Sequence, residues 1–577
     1  MLTPDNLNHH WATIMVTTLS KLGLKIAVIS PGSRSTPLTL ALARDKSIET
    51  LVVLDERSAA FLALGMAKRQ QIPVALICTS GTAGANFYPA IIEAKYSQVP
   101  LLVLTADRPK ELQDCHAGQT IDQVRLYSNY PNWQTELAIP QADLFLYSYL
   151  RETLVQAWRR CLLPTPGVVH LNCPFREPLT PVSLNSSPEL PADFWQNLSG
   201  DQQLPPRTFS LPSDWLNCEE GIIIAGLATP SNPQGYCQAI ARLSRCLGWV
   251  VLAEALSPLR NYAGINPYLI STYDFLLRSP DLAQKLTPKL VIQLGELPTS
   301  KILRQWLTQT AATRWIISSS GENFDPLHGK TIYLSGEITE LSIPTTVKSD
   351  SAYRQLWCNN EKKAREYLDN SLASEQGFFE GKASWLLSQH LPPKTPIFLA
   401  SSMSVRYAEF FWKPGDREII PYFNRGANGI DGTLSTALGM AYGQQSAILL
   451  TGDLALLHDT NGFLFSNKFK GHLTIVLINN QGGGIFNHLP IAQFTDYFAE
   501  FFATPQAIDF GTLCQTYQVQ HHLITSWSEF INLLNPLPCE GIRVLELNCD
   551  RFLDSLWLAL RVKSELLETD IFGNSTL

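Results

Sequence analysis

The 577-residue chain is predicted to be an α/β protein of three doubly wound parallel-sheet domains. Three observations carry this. The length exceeds what one hydrophobic core normally serves. Short, continuous apolar runs end in Gly-containing or polar turns and lead into helical stretches, the pattern of parallel strands covered on both faces. Two polar passages, near residues 181–208 and 345–377, interrupt that pattern and divide the chain into blocks of residues 1–185, 205–350 and 375–577.

In the first block, strands are predicted at 26–29, 51–54, 74–78 and 101–104. They run into Ser30-Pro31-Gly32, Asp55-Glu56, Thr79-Ser80-Gly81 and Thr105-Ala106-Asp107-Arg108. Ligands of open parallel sheets gather at the carboxyl ends of the strands, where all four turns lie. The first passage, rich in Ser, Pro, Asn and Asp, reads as a linker partly ordered by Trp195. The middle block carries predicted strands at 221–225, 249–252, 290–294, 315–317 and 331–334. The third carries them at 397–400, 419–422, 447–451, 473–479 and 543–547.

Apolar residues make up 45% of the chain and charged residues 16%, values of a folded rather than a disordered protein. The net charge of −7 argues against nucleic acid as the main partner, while leaving room for anionic small molecules held by local arginines. Eleven cysteines without a C-x-x-C pair suit structural thiols in a reducing compartment. The first residues lack the basic and apolar segments of a secretory signal, and no apolar run approaches about 18 residues. A cytoplasmic location without a membrane span is therefore expected.

The segment AILLTGDLALLHDTNGFLFSNKFKGHLTIVLINNQGGGIF places two apolar strands around a helical stretch. A right-handed crossover makes those strands parallel, so Asp453 and Asn480 fall at one edge of the sheet. A carboxylate and an amide oxygen there suit an oxygen-seeking divalent cation that also keeps diphosphate oxygens and water as ligands. Gly452 allows a phosphate to approach the backbone, and the glycines at 482–484 allow a carbonyl to turn toward the metal. Taken singly, both turns could be ordinary strand ends, because Asp, Asn and Gly are turn residues. Asp55-Glu56 likewise fits a helix start favoured by the macrodipole.

The Gly-Asp and Asn-Asn pair resembles the diphosphate motif of thiamine-diphosphate enzymes, which carry Gly where this chain has Leu454. ISPGSRSTPL, LTADRP with Gln119, NRGANGIDG and NNQGGGIF together resemble one branch, the 2-succinyl-5-enolpyruvyl-6-hydroxy-3-cyclohexene-1-carboxylate synthases. The resemblance covers most of the chain and is thinnest in the middle block. It implies a pyrimidine-binding first domain, a central α/β domain and a diphosphate-binding third domain. Thiamine diphosphate and Mg²⁺, with Mn²⁺ also acceptable, are the implied cofactors. Asp453, Asn480 and Gly482 are the implied metal ligands, with Ser402 and Gly452 beside the cofactor. Glu56 is implied to bond the aminopyrimidine and promote loss of the thiazolium C2 proton, and Ile430 to wedge the cofactor into a V shape.

The same resemblance implies a decarboxylating carboligation of 2-oxoglutarate with isochorismate in menaquinone or phylloquinone synthesis. It also implies a homodimer or dimer of dimers with active sites between subunits. Two dicarboxylates call for guanidinium groups, which grip carboxylates through paired hydrogen bonds. The matched candidates are Arg34, Arg108, Arg406 and Arg425, with Lys301 from the middle block. Ser33 and Gln119 would add neutral contacts, Gln119 beside the reaction itself, and Phe486 and Leu489 an apolar wall. Gly118 stands where some relatives carry Asn.

Alternatives remain at this point: another thiamine-diphosphate carboligase or 2-keto acid decarboxylase, a fold-retaining binding module, or a nucleotide-linked oxidoreductase. Little favours the last, since no G-x-G-x-x-G with a downstream acid follows an early strand. The sequence HGKT at 328–331 lacks the leading glycine of a phosphate loop, and His9-His10 and His521-His522 lack ligand-spaced partners.

Overall fold

The computed structural model describes residues 6–183, 188–200, 208–443 and 446–562. They form two compact units, one of Met1–Leu204, Asn424–Gly443 and His458–Lys470, the other of Pro205–Phe423, Gln444–Leu457 and Gly471–Leu577. Among the described residues no helix is long and apolar enough to cross a membrane.

The first unit is organised on a six-stranded, wholly parallel sheet. Its spatial order is Glu49–Val52, Ile26–Ile29, Val74–Cys78, Leu101–Asp107, Val168–Pro174 and Trp133–Glu136. Val74–Cys78, Leu101–Asp107 and Val168–Pro174 are buried at every position, as the continuous apolar runs require. Two of these six strands escaped prediction. Val168–Pro174 carries His170 and Asn172 inside an otherwise apolar run, and Trp133–Glu136 is a half-buried edge. Trp195 of the predicted linker packs edge-on against Phe194, 5.2 Å away, and donates to Thr18 Oγ1 at 3.2 Å. The rest of that passage falls partly outside the described residues.

Within this unit the helix Glu56–Gln70 packs against Thr433–Ala441 by unusually close backbone approach. A Cβ on Gly65 would lie 2.0 Å from the Thr436 carbonyl oxygen, and one on Gly439 would lie 2.0 Å from that of Leu62. Glycine costs a helix interior about 1 kcal/mol relative to alanine. Here that cost is offset by a contact no larger residue permits. The pair therefore fixes the helix that Glu56 opens against the helix that follows Ile430.

The second unit holds two further six-stranded parallel sheets. The middle one runs Leu269–Ile270, Val250–Ala253, Gly221–Ala225, Leu290–Leu294, Thr313–Ser318 and Thr331–Ser335. Numbered along the chain this is 3-2-1-4-5-6, the order of dinucleotide-binding sheets. The other runs Ile420–Tyr422, Pro396–Leu399, Ala447–Gly452, His472–Asn479, Gly541–Asn548 and Gln520–Leu523. Its order, 2-1-3-4-6-5, repeats that of the first unit's sheet.

The second polar passage is largely helix, Ala352–Ser374. Trp357, Ala364, Leu368 and Leu372 form a buried stripe at helical spacing, hidden in sequence by the charged residues between them. The HGKT segment turns at Gly329, whose N–H donates to Asp325 at 2.9 Å, and continues as strand Thr331–Ser335. His521 pairs with Glu546 at 2.7 Å, while His9 and His10 are buried in the helix Leu7–Leu22.

Candidate active site

The crossover pair is built as its apolar runs demand. Ala447–Gly452 and His472–Asn479 are adjacent and parallel, from Ala447 opposite Leu473 to Gly452 opposite Ile478. Both chains leave the sheet at the same edge. The Gly482 N–H donates to Asp453 Oδ2 at 2.7 Å, and the Leu454 N–H donates to Oδ1 at 2.8 Å. Asp453 and Asn480 are 4% and 6% exposed, so neither is a solvated turn residue. Burial pushes the Asp453 carboxyl up to about 6, against the pull of those two N–H groups and of the Arg551 charge.

Asn480 Oδ1 is buried without a hydrogen-bond partner. Such an acceptor costs about 1–3 kcal/mol unless a donor or a cation meets it, so its chemistry suits a metal ligand. Gly482 has φ +129°, and a Cβ there would sit 2.1 Å from the Ala503 carbonyl oxygen, so only glycine fits. A Cβ on Gly452 would meet nothing within 4 Å, which leaves that backbone open. One buried carboxylate, one unpartnered amide oxygen and an open glycine backbone fit a hard divalent cation carrying phosphate oxygens.

Other predicted residues lie in the same unit. Ser402 precedes the helix Met403–Phe411 with φ 71°, a strained value for a non-glycine residue, and its carbonyl accepts Arg406 Nη1 at 2.6 Å. Phe486 packs edge-on to Phe502 with ring centroids 5.7 Å apart. Leu489 is 44% exposed. Lys301 is exposed at the start of Lys301–Gln309, and no described hydrogen bond or ion pair joins it to Arg406 or to the metal loop.

The first unit gathers the remaining candidates. Glu56 is half-buried at the head of its helix, while Asp55 caps that helix by accepting the Ser58 N–H at 3.1 Å. Arg34 is 8% exposed; Nη1 donates to the Phe175 carbonyl at 3.0 Å, Nη2 pairs with Glu177 at 3.1 Å, and the buried Nε has no partner. Arg108 donates to Ser80 Oγ and, at 2.8 Å, to the Gln119 carbonyl. Burial and then the neighbouring Arg34 charge hold the Arg108 guanidinium below its ordinary range. Two neighbouring arginines, one with an unused donor, have the chemistry that could receive a carboxylate. Gln119 donates to the Ser80 carbonyl at 2.8 Å, which keeps it beside them. Ser33 is exposed in the neighbouring turn, and the space around Gly118 is open to 4 Å.

Sequence reasoning missed the residue that shapes the NRGANGIDG loop. Glu93, 3% exposed, accepts the N–H groups of Gly426 at 3.0 Å and Ala427 at 2.7 Å. It thereby anchors the loop between Arg425 and Ile430. The acid in the apolar run AIIEA was the available signal.

Comparison with known proteins agrees with this geometry. Residues 9–126 match the family described as thiamine pyrophosphate enzyme, N-terminal TPP binding domain, and residues 201–399 match the middle domain of thiamine pyrophosphate enzymes. The fold and the two matched domains together define a thiamine-diphosphate enzyme. The chain is 59% identical over 566 residues to the 2-succinyl-5-enolpyruvyl-6-hydroxy-3-cyclohexene-1-carboxylate synthase of Gloeothece citriformis, covering 96% of this chain and 97% of the relative. The synthases of Microcystis aeruginosa and of a Nostoc species are 58% and 57% identical over 96% of this chain, covering 98% and 97% of their own lengths. The chain belongs to this synthase family.

Proposed function

We propose that the protein is a 2-succinyl-5-enolpyruvyl-6-hydroxy-3-cyclohexene-1-carboxylate synthase that joins 2-oxoglutarate to isochorismate with loss of CO₂. The observation that carries the substrate class is the Arg34–Arg108 pair, with its unpartnered Nε beside a second, repelled guanidinium. Glu177 offsets Arg34, but among the described residues the Arg108 guanidinium meets only the Ser80 hydroxyl and the Gln119 carbonyl, and pyruvate lacks the second carboxylate that would use its charge.

Asp453, Asn480 and the Gly482 backbone would hold a divalent cation, Mg²⁺ or Mn²⁺, that carries the cofactor diphosphate, with Gly452 and Ser402 alongside. When bound, thiamine diphosphate supplies the carbon nucleophile and the electron sink for decarboxylation. Glu56 exchanges a proton with the aminopyrimidine nitrogen. Arg34, Arg108, Arg406 and Arg425 neutralise substrate carboxylates, with Ser33, Gln119 and Lys301 adding weaker contacts. Ile430, Phe486 and Leu489 supply apolar surface that excludes water from the reacting carbon.

The candidates divide between the two units. By the family's arrangement a second copy completes each site, giving a homodimer or a dimer of dimers in the cytoplasm. Leu489, Phe494, Tyr497 and Phe501, at 44%, 52%, 61% and 62% exposure, offer the apolar surface an assembly would cover. Light scattering should give a mass of at least two chains.

The direct assay combines protein, thiamine diphosphate, Mg²⁺, 2-oxoglutarate and isochorismate. CO₂ release should require both substrates for sustained turnover, and pyruvate should not replace 2-oxoglutarate. Equal use of pyruvate would move the protein to another carboligase class. Arg108→Ala should raise KM for a dicarboxylate by roughly 10- to 100-fold, the worth of about 1.5–3 kcal/mol for a lost charged hydrogen bond. Cofactor affinity should stay unchanged; an unaltered KM would remove Arg108 from the substrate.

A further inference from the structure

Behind the metal loop lies a support formed by residues that the proposed chemistry leaves unused. The helix Arg551–Val562 follows the strand Gly541–Asn548. Its first residue reaches back across the loop: Arg551 Nη1 donates to the Asn480 carbonyl at 3.2 Å and to the Gln481 carbonyl at 2.6 Å. Gln481 holds φ at 57°, a left-handed value that costs a non-glycine residue about 1–2 kcal/mol. Turning the chain there directs successive carbonyls toward one donor. The guanidinium supplies it.

The rest of the helix is anchored in the same unit. Asp554, one turn beyond Arg551, and Glu380 are both buried, at 3% and 5% exposure. Further along, Trp557 stacks on Phe379 at 4.1 Å and 24° and donates to Glu375 at 2.9 Å. The Asn480 Oδ1 atom, carried on the backbone that Arg551 holds, is buried and unpartnered.

We propose that Arg551 is a positioning residue for the cation, holding the Asn480–Gln481 backbone so that Asn480 Oδ1 and the Gly482 backbone stay presented to the metal and diphosphate. Arg551 touches neither the substrate nor the ion. Its contribution is preorganisation: without it the Asn480 and Gln481 carbonyls lose their donor, and the loop is left with the N–H bonds of Gly482 to Asp453 and of Gly483 to the Ala503 carbonyl. The proposal rests on the reading of Asp453, Asn480 and Gly482 as metal ligands.

Calorimetry of thiamine diphosphate binding with Mg²⁺, and of Mg²⁺ at fixed thiamine diphosphate, tests it on the full chain. The wild type is measured first; failure to bind the pair refutes the ligand reading and this inference with it. Given wild-type binding, Arg551→Ala should weaken apparent Mg²⁺ affinity by about 10- to 100-fold, the usual effect of losing an outer partner of a metal ligand. Arg551→Lys, which keeps the charge and three N–H donors but on a compact ammonium without the planar guanidinium fork, should fall between. The readout that separates positioning from general stability is thermal: the ligand-free Tm should change little, while the Tm gain on adding Mg²⁺ and thiamine diphosphate shrinks. If Arg551→Ala does not fold, Arg551→Lys and Arg551→Gln, which keep a donor, carry the test. A folded variant with wild-type Mg²⁺ affinity overturns the proposal.

Discussion

Replacing Glu56 by glutamine is expected to cut turnover by about 10²- to 10⁴-fold while leaving thiamine diphosphate binding within a few-fold of the wild type, the range attached to loss of a positioned proton-transfer group. The flanking residues explain why so conservative a change should be so selective. Asp55 is bonded to the Ser58 N–H and, at 2.6 Å, to Asn461; Arg57 donates to the His458 carbonyl at 2.8 Å. Between these anchors the Glu56 carboxylate makes no ion pair and no side-chain hydrogen bond among the described residues. Gln has the same length and nearly the same helix propensity, so the helix start survives.

The competing role for Glu56 is purely structural, a helix-start charge worth about 0.3–1 kcal/mol of stability. The acid–base role asks for roughly 3–5 kcal/mol in the activation barrier. The two outcomes do not overlap. A Tm lowered by a few degrees with intact turnover supports the dipole role, whereas an unchanged Tm with lost turnover supports the acid. Measuring exchange of the bound cofactor's C2 proton would further assign the loss to the step that carboxylate serves.

What could be read in advance divides along physical lines. Ala447–Gly452 and His472–Asn479 announced themselves because both strands are apolar throughout and both end in residues that favour turns. Val168–Pro174 did not, although it lies inside the first sheet. Its His170 and Asn172 look like surface residues until their partners are placed. Thr105 Oγ1 meets His170 at 2.7 Å, and Asn172 bonds Gln123 at 3.0 Å and Asp107 at 2.9 Å. A buried polar group is satisfied by residues distant in sequence, so no local pattern discloses it. The helix Ala352–Ser374 was hidden differently, its sparse apolar stripe outnumbered by charge.

The site shows the same division. Arg34, Arg108 and Asp453 sit in strand-end turns whose composition marks them. Glu93 and Arg551 act on backbone groups, Glu93 across 333 and 334 residues of chain and Arg551 across 71 and 70. Neither contact imposes a residue type on its partner, since any N–H or carbonyl serves. Such supports become visible only when the fold brings the two segments together.

Asp453→Ala is expected to abolish Mg²⁺-dependent binding of thiamine diphosphate, weakening it by at least about 100-fold, beyond the roughly 10- to 100-fold typical of an outer partner. The side chain does two things at once. It offers the only carboxylate among the three proposed ligands, and it ties the two strand ends together through the Gly482 N–H at 2.7 Å. Alanine removes both, so it cannot tell a lost ligand from a loosened loop. Asp453→Asn separates them. The amide oxygen can still accept from Gly482, so the latch should persist at the cost of the Leu454 N–H bond and a small fall in metal-free Tm, but the charge that offsets the cation is gone. If charge is what the ion requires, Asn should bind Mg²⁺ and thiamine diphosphate nearly as poorly as Ala. If the latch is what matters, Asn should recover most of the affinity. Wild-type calorimetry from both variants would leave Asp453 a strand-end turn residue and return the cofactor diphosphate to some other part of the chain.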